Sequence, residues 1–154
     1  MKKAIKYLAF ALLILPCALL LVACGKVEGN TYKFDSVSSV SWAKEMTDEE
    51  KQKAYAETDD ETIKTENDYF NFAKKTYNTY FKNIKMQFEQ DGKVAIGEEK
   101  LETYYYVQDG NSIKIFDNEE KTGEAVYTAT IKGKKIELQI NLEDINATCI
   151  FKKA

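Results

Sequence analysis

From Ile84 to Phe151 the chain alternates apolar and polar side chains in short runs broken by turn residues. Period-two alternation puts successive side chains on opposite faces, which is the mark of half-buried strands. Ile84-Lys85-Met86-Gln87-Phe88-Glu89 leads into Asp91-Gly92, a strong hairpin signal, and Lys93-Val94-Ala95-Ile96 answers it. Glu102 to Val107 is rich in β-formers, and Asp109-Gly110-Asn111 turns into Ser112-Ile113-Lys114-Ile115-Phe116. After a polar loop from Asp117 to Gly123 comes Ala125 to Ile131. Lys132-Gly133 turns that strand into Lys135-Ile136-Glu137-Leu138-Gln139-Ile140, the cleanest alternation in the chain, and Thr148 to Phe151 closes the series. Connections this short make neighbouring strands antiparallel.

Ahead of this series, Thr31 to Val37 reads as a first strand, with Ser38 to Lys44 as its end or a loop. A helical insert is expected over 47–83. Thr47-Asp48-Glu49-Glu50 is a capping box, and Thr58-Asp59-Asp60-Glu61 repeats it, so a second helix is expected to start there. Ile63, Phe70, Ala73, Tyr77 and Tyr80 or Phe81 then recur at helical spacing as one face. The sum is a mainly β chain: an antiparallel meander of about eight strands with the insert between the first and second. An open meander leaves two edges, and closure into a barrel removes them. A barrel of eight strands is either filled by its own side chains or just wide enough for one small ligand.

The N-terminal residues have a different character. Met1 to Lys6 carries three lysines, Tyr7 to Ala23 is a 17-residue apolar run interrupted by Pro16, and Leu21-Val22-Ala23-Cys24 closes it before Gly25. These four residues resemble the bacterial lipobox, and the whole segment resembles a lipoprotein signal peptide. The resemblance implies removal of residues 1–23, a thioether-linked diacylglycerol on Cys24, and residence on the outer, extracytoplasmic face of the cell membrane. Two acyl chains hold a protein stably, at roughly 0.8 kcal/mol per buried CH₂. The competing reading, an uncleaved membrane span, has a run at the short limit of the roughly 20 residues needed. Residues 24–30 then form the lipidated cysteine and a short tether, about 20 Å when extended, and residues 31–154 form one domain.

Removal of Lys2, Lys3 and Lys6 leaves 19 basic against 25 acidic side chains, a net charge of −6. Such a chain has no electrostatic case for nucleic acid. On net charge alone it is repelled by an anionic lipid surface, so the anchor and not a basic patch is expected to hold it there. The abundance of Lys, Asn, Tyr and Ile resembles that of low-GC Gram-positive bacteria. Gly29-Asn30-Thr31-Tyr32, an aromatic first strand and the run of hairpins resemble the lipocalin-like domains of small bacterial lipoproteins over residues 29–152. That family would imply a pocket for a small apolar or amphipathic molecule.

No motif implies a cofactor or metal. Asp117-Asn118-Glu119-Glu120 and Asp59-Asp60-Glu61 lack the ligand spacing of a calcium loop and read as solvated charges. Asn146-Ala147-Thr148 is a formal glycosylation sequon without meaning in a bacterial lipoprotein. With Cys17 removed and Cys24 lipidated, Cys149 stands alone and reads as a small apolar core residue. There is no histidine, the commonest general base, and no spacing singles out a carboxylate pair. The chain is therefore expected not to be an enzyme. Candidate ligand-binding residues are the aromatics Trp42, Tyr77, Tyr104 and Tyr106, although each also suits core packing. Three roles remain: binding a small apolar or envelope-derived ligand in a barrel, serving as an accessory or protein-interaction module of the envelope with a filled barrel, and hydrolysing an envelope polymer.

Overall fold

The computed structural model describes residues 25–154; the signal-peptide and lipobox reading falls on residues 1–24, outside them. The described chain is mainly β. Strands β1 (Thr31–Trp42), β2 (Lys85–Phe88), β3 (Lys93–Gly97), β4 (Leu101–Asp109), β5 (Ser112–Phe116), β6 (Tyr127–Lys132), β7 (Lys135–Leu142) and β8 (Ile145–Lys153) form a closed barrel in which each pairs with the next and β8 returns to β1. Every pairing is antiparallel. Helices α1 (Asp48–Ala56) and α2 (Glu66–Tyr80) lie between β1 and β2, as expected.

The barrel is filled. All eight strands send side chains into one buried cluster, among them Val37, Met86, Val94, Tyr106, Ile113, Ile115, Ala129, Ile136, Cys149 and Phe151. No polar or charged residue among those described is buried, so the interior rests on apolar packing alone.

Alternation reports most strands well and β1 poorly. That strand runs five residues past Val37, and its register against β8 shifts twice, between Phe34 and Ser36 and between Val37 and Ser39. Each bulge resets which face the next side chain takes, so the apolar pattern slips and the strand reads as ended. The Val37 N–H donates to Asn78 Oδ1 on α2 at 2.8 Å, and Lys74 Nζ donates to the Ser38 carbonyl at 3.0 Å. The bulged strand is thus where the helical arm attaches.

The capping box at Thr47 and Glu50 forms as expected. The one expected at Thr58 does not. There the Thr58 hydroxyl donates to the Tyr55 carbonyl, Asp60 accepts from Thr62, and Asp59 adopts φ +54°, which turns the chain. The second helix starts instead at Glu66, capped by Thr65 with Asp68 reaching back to the Thr65 N–H. Aspartate in the place of the usual glutamate hid this cap.

The largest departure concerns the tether. Val27 is completely buried in the barrel cluster. Its N–H donates to Gln108 Oε1 at 3.2 Å, and Gln108 Nε2 donates to the Gly25 and Gly110 carbonyls at 2.6 and 2.8 Å. Gly29 N–H donates to the Phe88 carbonyl, and Phe88 N–H to the Asn30 carbonyl. Residues 25–30 therefore form the barrel floor and not a loose leash. One apolar residue among polar ones was the only sequence sign of this.

Candidate functional site

The floor lies at the start of β1, beside the β2–β3, β4–β5 and β6–β7 turns. The opposite rim carries the β3–β4 and β7–β8 turns and the helical arm, while the β5–β6 loop reaches back towards the β2–β3 turn, with Lys121 against Gly92. The four candidate aromatics spread over both ends.

Tyr106 is at the floor. Its ring meets Phe88 edge-on at 5.0 Å, and its hydroxyl donates to the Glu89 carbonyl at 3.4 Å. Burial pushes its phenol above the usual range. It also borders a cleft of about 340 Å³ with Lys26, Glu28, Gln108 and Gly110.

Tyr104, two residues earlier on the same face, sits towards the rim. It meets Tyr127 edge-on at 5.8 Å, and its hydroxyl donates to Glu102 Oε2 at 2.9 Å. Burial, then the Glu102 carboxylate, raises its phenol strongly. Ile96, Tyr127, Ile140 and Leu142 join it as half-buried apolar residues packed on the core cluster.

Tyr77 and Trp42 belong to the arm. Tyr77 stacks on Phe81 at 5.7 Å, and Phe81 meets Phe34 of β1 edge-on. Trp42 stacks on Tyr69 at 5.0 Å, and Tyr69 packs on Tyr55 of α1. The Trp42 Nε1–H donates to Glu66 Oε2 at 2.7 Å, and Lys51 pairs with the same carboxylate at 3.1 Å. Glu66 is held below the usual carboxylate range, first by Trp42 and then by Lys51. This clip joins the end of β1 to both helices. Trp42 and Tyr106 thus stand at opposite ends of the molecule, and each of the four has its own packing partner.

A wider cleft, about 790 Å³, opens along α2 and reaches the β3–β4 turn of the barrel. Phe72, Lys75, Thr76, Thr79, Tyr80 and Asn83 line it, with Glu98 and Asp60 at its margins. Tyr80 is 77% exposed, the most exposed large apolar side chain among the described residues. Sequence reading assigned Tyr80 or Phe81 to the core-facing stripe; Phe81 takes that place and Tyr80 points out.

The displaced carboxyls (Asp35, Glu50, Asp60, Glu66, Asp68 and Asp91) all move downwards, through hydrogen bonds and ion pairs. A general acid needs the opposite shift. The buried Cys149 thiol is pushed up to about 12, which suits an inert core residue. Comparison with known proteins finds no matching family model, no similar curated protein and no similar solved structure.

Proposed function

We propose that this chain is a non-enzymatic, lipid-anchored accessory protein of the bacterial cell envelope that binds a protein partner through the outer face of its helical arm. The observation that carries this reading is the filled interior: side chains from all eight strands already occupy the space a small ligand would need. Recognition is then an affair of the outer surface. The α2 cleft offers the exposed Tyr80 ring beside Phe72, and tyrosine is favoured at interface centres. The lipobox match supports the anchor.

A second reading keeps a small apolar or envelope-derived ligand, seated shallowly at the far rim. The half-buried ring of Ile96, Tyr104, Tyr127 and Leu142 favours it.

A photocrosslinking residue at position 80, in intact cells, tests the first reading. It should give a discrete protein adduct that the same probe at the exposed Val107 on the barrel wall does not give. No adduct at position 80 would contradict it. For the anchor, Cys24→Ser should release the protein from the membrane fraction, and unchanged fractionation would refute the lipobox.

A further inference from the structure

Five lysines stand side by side around the outer wall. Lys85 of β2 pairs with Lys33 of β1, Lys33 with Lys152 of β8, Lys152 with Lys135 of β7, and Lys135 with Lys132 of β6. Residues in register share a face. Each of these lysines adjoins an inward residue (Met86, Tyr32, Phe151, Ile136 and Ile131 respectively), so the row lies outside. Lys85 is half-buried and the other four are exposed.

Folding does not account for this row. Like charges directly opposite on neighbouring strands destabilise a sheet. Lysines do protect open edges from pairing, but a closed barrel has no edge to protect. Among the described residues, ion pairs engage only two of the five. Lys152 meets Asp35 at 2.6 Å and Lys132 meets Glu137 at 2.7 Å, while Lys33, Lys85 and Lys135 make none.

The row begins where the N-terminal segment enters. Gly25 lies against Ile131 and Asn111, and Ile131 immediately precedes Lys132. Gln108 Nε2 pins the Gly25 carbonyl, so Gly25 is held at the floor. The far rim has the opposite sign. Its β3–β4 and β7–β8 turns carry Glu98, Glu99, Glu143 and Asp144. The net charge of −6 expected after signal removal is thus unevenly spread, with acid at the rim and Lys132, Lys135, Lys152 and Lys33 towards the floor; the row climbs from there to Lys85, which pairs with Gly97 at the rim end of β2. Glu89, Asp91 and Asp109 mark the other side of the floor, so the basic side is that of β6, β7, β8 and β1.

We propose that this lysine belt is a second membrane contact, resting on the anionic phospholipid headgroups around the anchor and setting the barrel floor-down with its acidic rim and helical arm facing away. The proposal rests on the lipid-anchored reading for the bilayer's presence. It replaces the expectation from net charge that the domain is simply repelled. Polybasic segments gain affinity for anionic surfaces lysine by lysine, about fivefold each.

Residues 25–154 contain the whole barrel and lack Cys24, so the belt can be tested without the anchor. The measurement is co-sedimentation with vesicles of phosphatidylglycerol and phosphatidylcholine against phosphatidylcholine alone. The expected result is binding to the anionic vesicles only, lost as salt rises. Lys33→Gln, Lys132→Gln and Lys135→Gln together should weaken it about a hundredfold. A control triple on the helices and far rim, Lys53→Gln, Lys75→Gln and Lys100→Gln, should leave it within about fivefold, with circular dichroism confirming the fold of both. Absence of binding to anionic vesicles, equal binding to neutral ones, or equal loss in the two triples would overturn the proposal. Fractionation of Cys24→Ser after a high-salt wash, which releases the belt and not an acyl anchor, decides the anchor separately.

Discussion

The barrel and the helical arm are held together by different physics. The barrel closes on itself through eight antiparallel pairings around a core without buried polar groups. The arm depends on two exposed capping boxes, the Trp42–Glu66–Lys51 clip and a handful of aromatic contacts to β1. Helix α1 buries a single residue, Tyr55. Structure closed in a ring has no free end from which to fray, whereas an arm attached along one bulged strand can open while the barrel persists.

The comparison is broken first by attacking the barrel. Ile113→Ala removes a completely buried side chain from the centre of the core and should cost about 2–5 kcal/mol. Chemical denaturation should show one transition shifted to lower denaturant, with barrel and arm unfolding together. Trp42→Ala should cost about 2 kcal/mol, because the indole is only partly buried. Hydrogen exchange should place that loss in α1 and α2, with the β5 and β7 amides still protected; a uniform loss would make the arm part of the barrel's cooperative unit. Thr65→Ala removes the cap of α2 and should cost about 1 kcal/mol, read as faster exchange in its first turn.

The smallest expected effect is that of acid. Hydrogen bonds from Thr65 hold the Asp68 carboxyl below its ordinary range, and those from Thr47 do the same for Glu50. A carboxyl depressed in the folded state stabilises it fully above the unfolded pKa of about 4 and loses that contribution as pH falls through the folded value. Protection in the first turns of both helices, with the intrinsic exchange rate divided out, should therefore fall below about pH 4. The β5 and β7 amides, bonded between strands around an apolar core, should change less.

The same contrast explains what was legible in the sequence. The hairpins at Asp91-Gly92, Asp109-Gly110 and Lys132-Gly133 report themselves, because strand period and turn chemistry are local. The closed ring followed from the need to hide edges. What the sequence concealed was non-local: the two bulges that lengthen β1, the Thr65 cap, the Trp42 stack on Tyr69, and the insertion of Val27 under Gln108, 81 positions away. Composition and spacing offer Trp42, Tyr77, Tyr104 and Tyr106 as candidate ligand-binding aromatics that also suit core packing. That they serve different layers of packing could not be read from their spacing. The Lys85–Lys33–Lys152–Lys135–Lys132 row was hidden for the same reason. Its members are distant in the chain and meet only once the register is known.

The central claim is that the barrel interior is occupied and recognition is external. Titration of residues 25–154 with an apolar fluorophore such as 1-aminoanthracene tests it most directly. The account predicts no saturable one-to-one binding to the unmodified chain. Saturable one-to-one binding that Tyr104→Ala abolishes would contradict it and establish a ligand site at the rim.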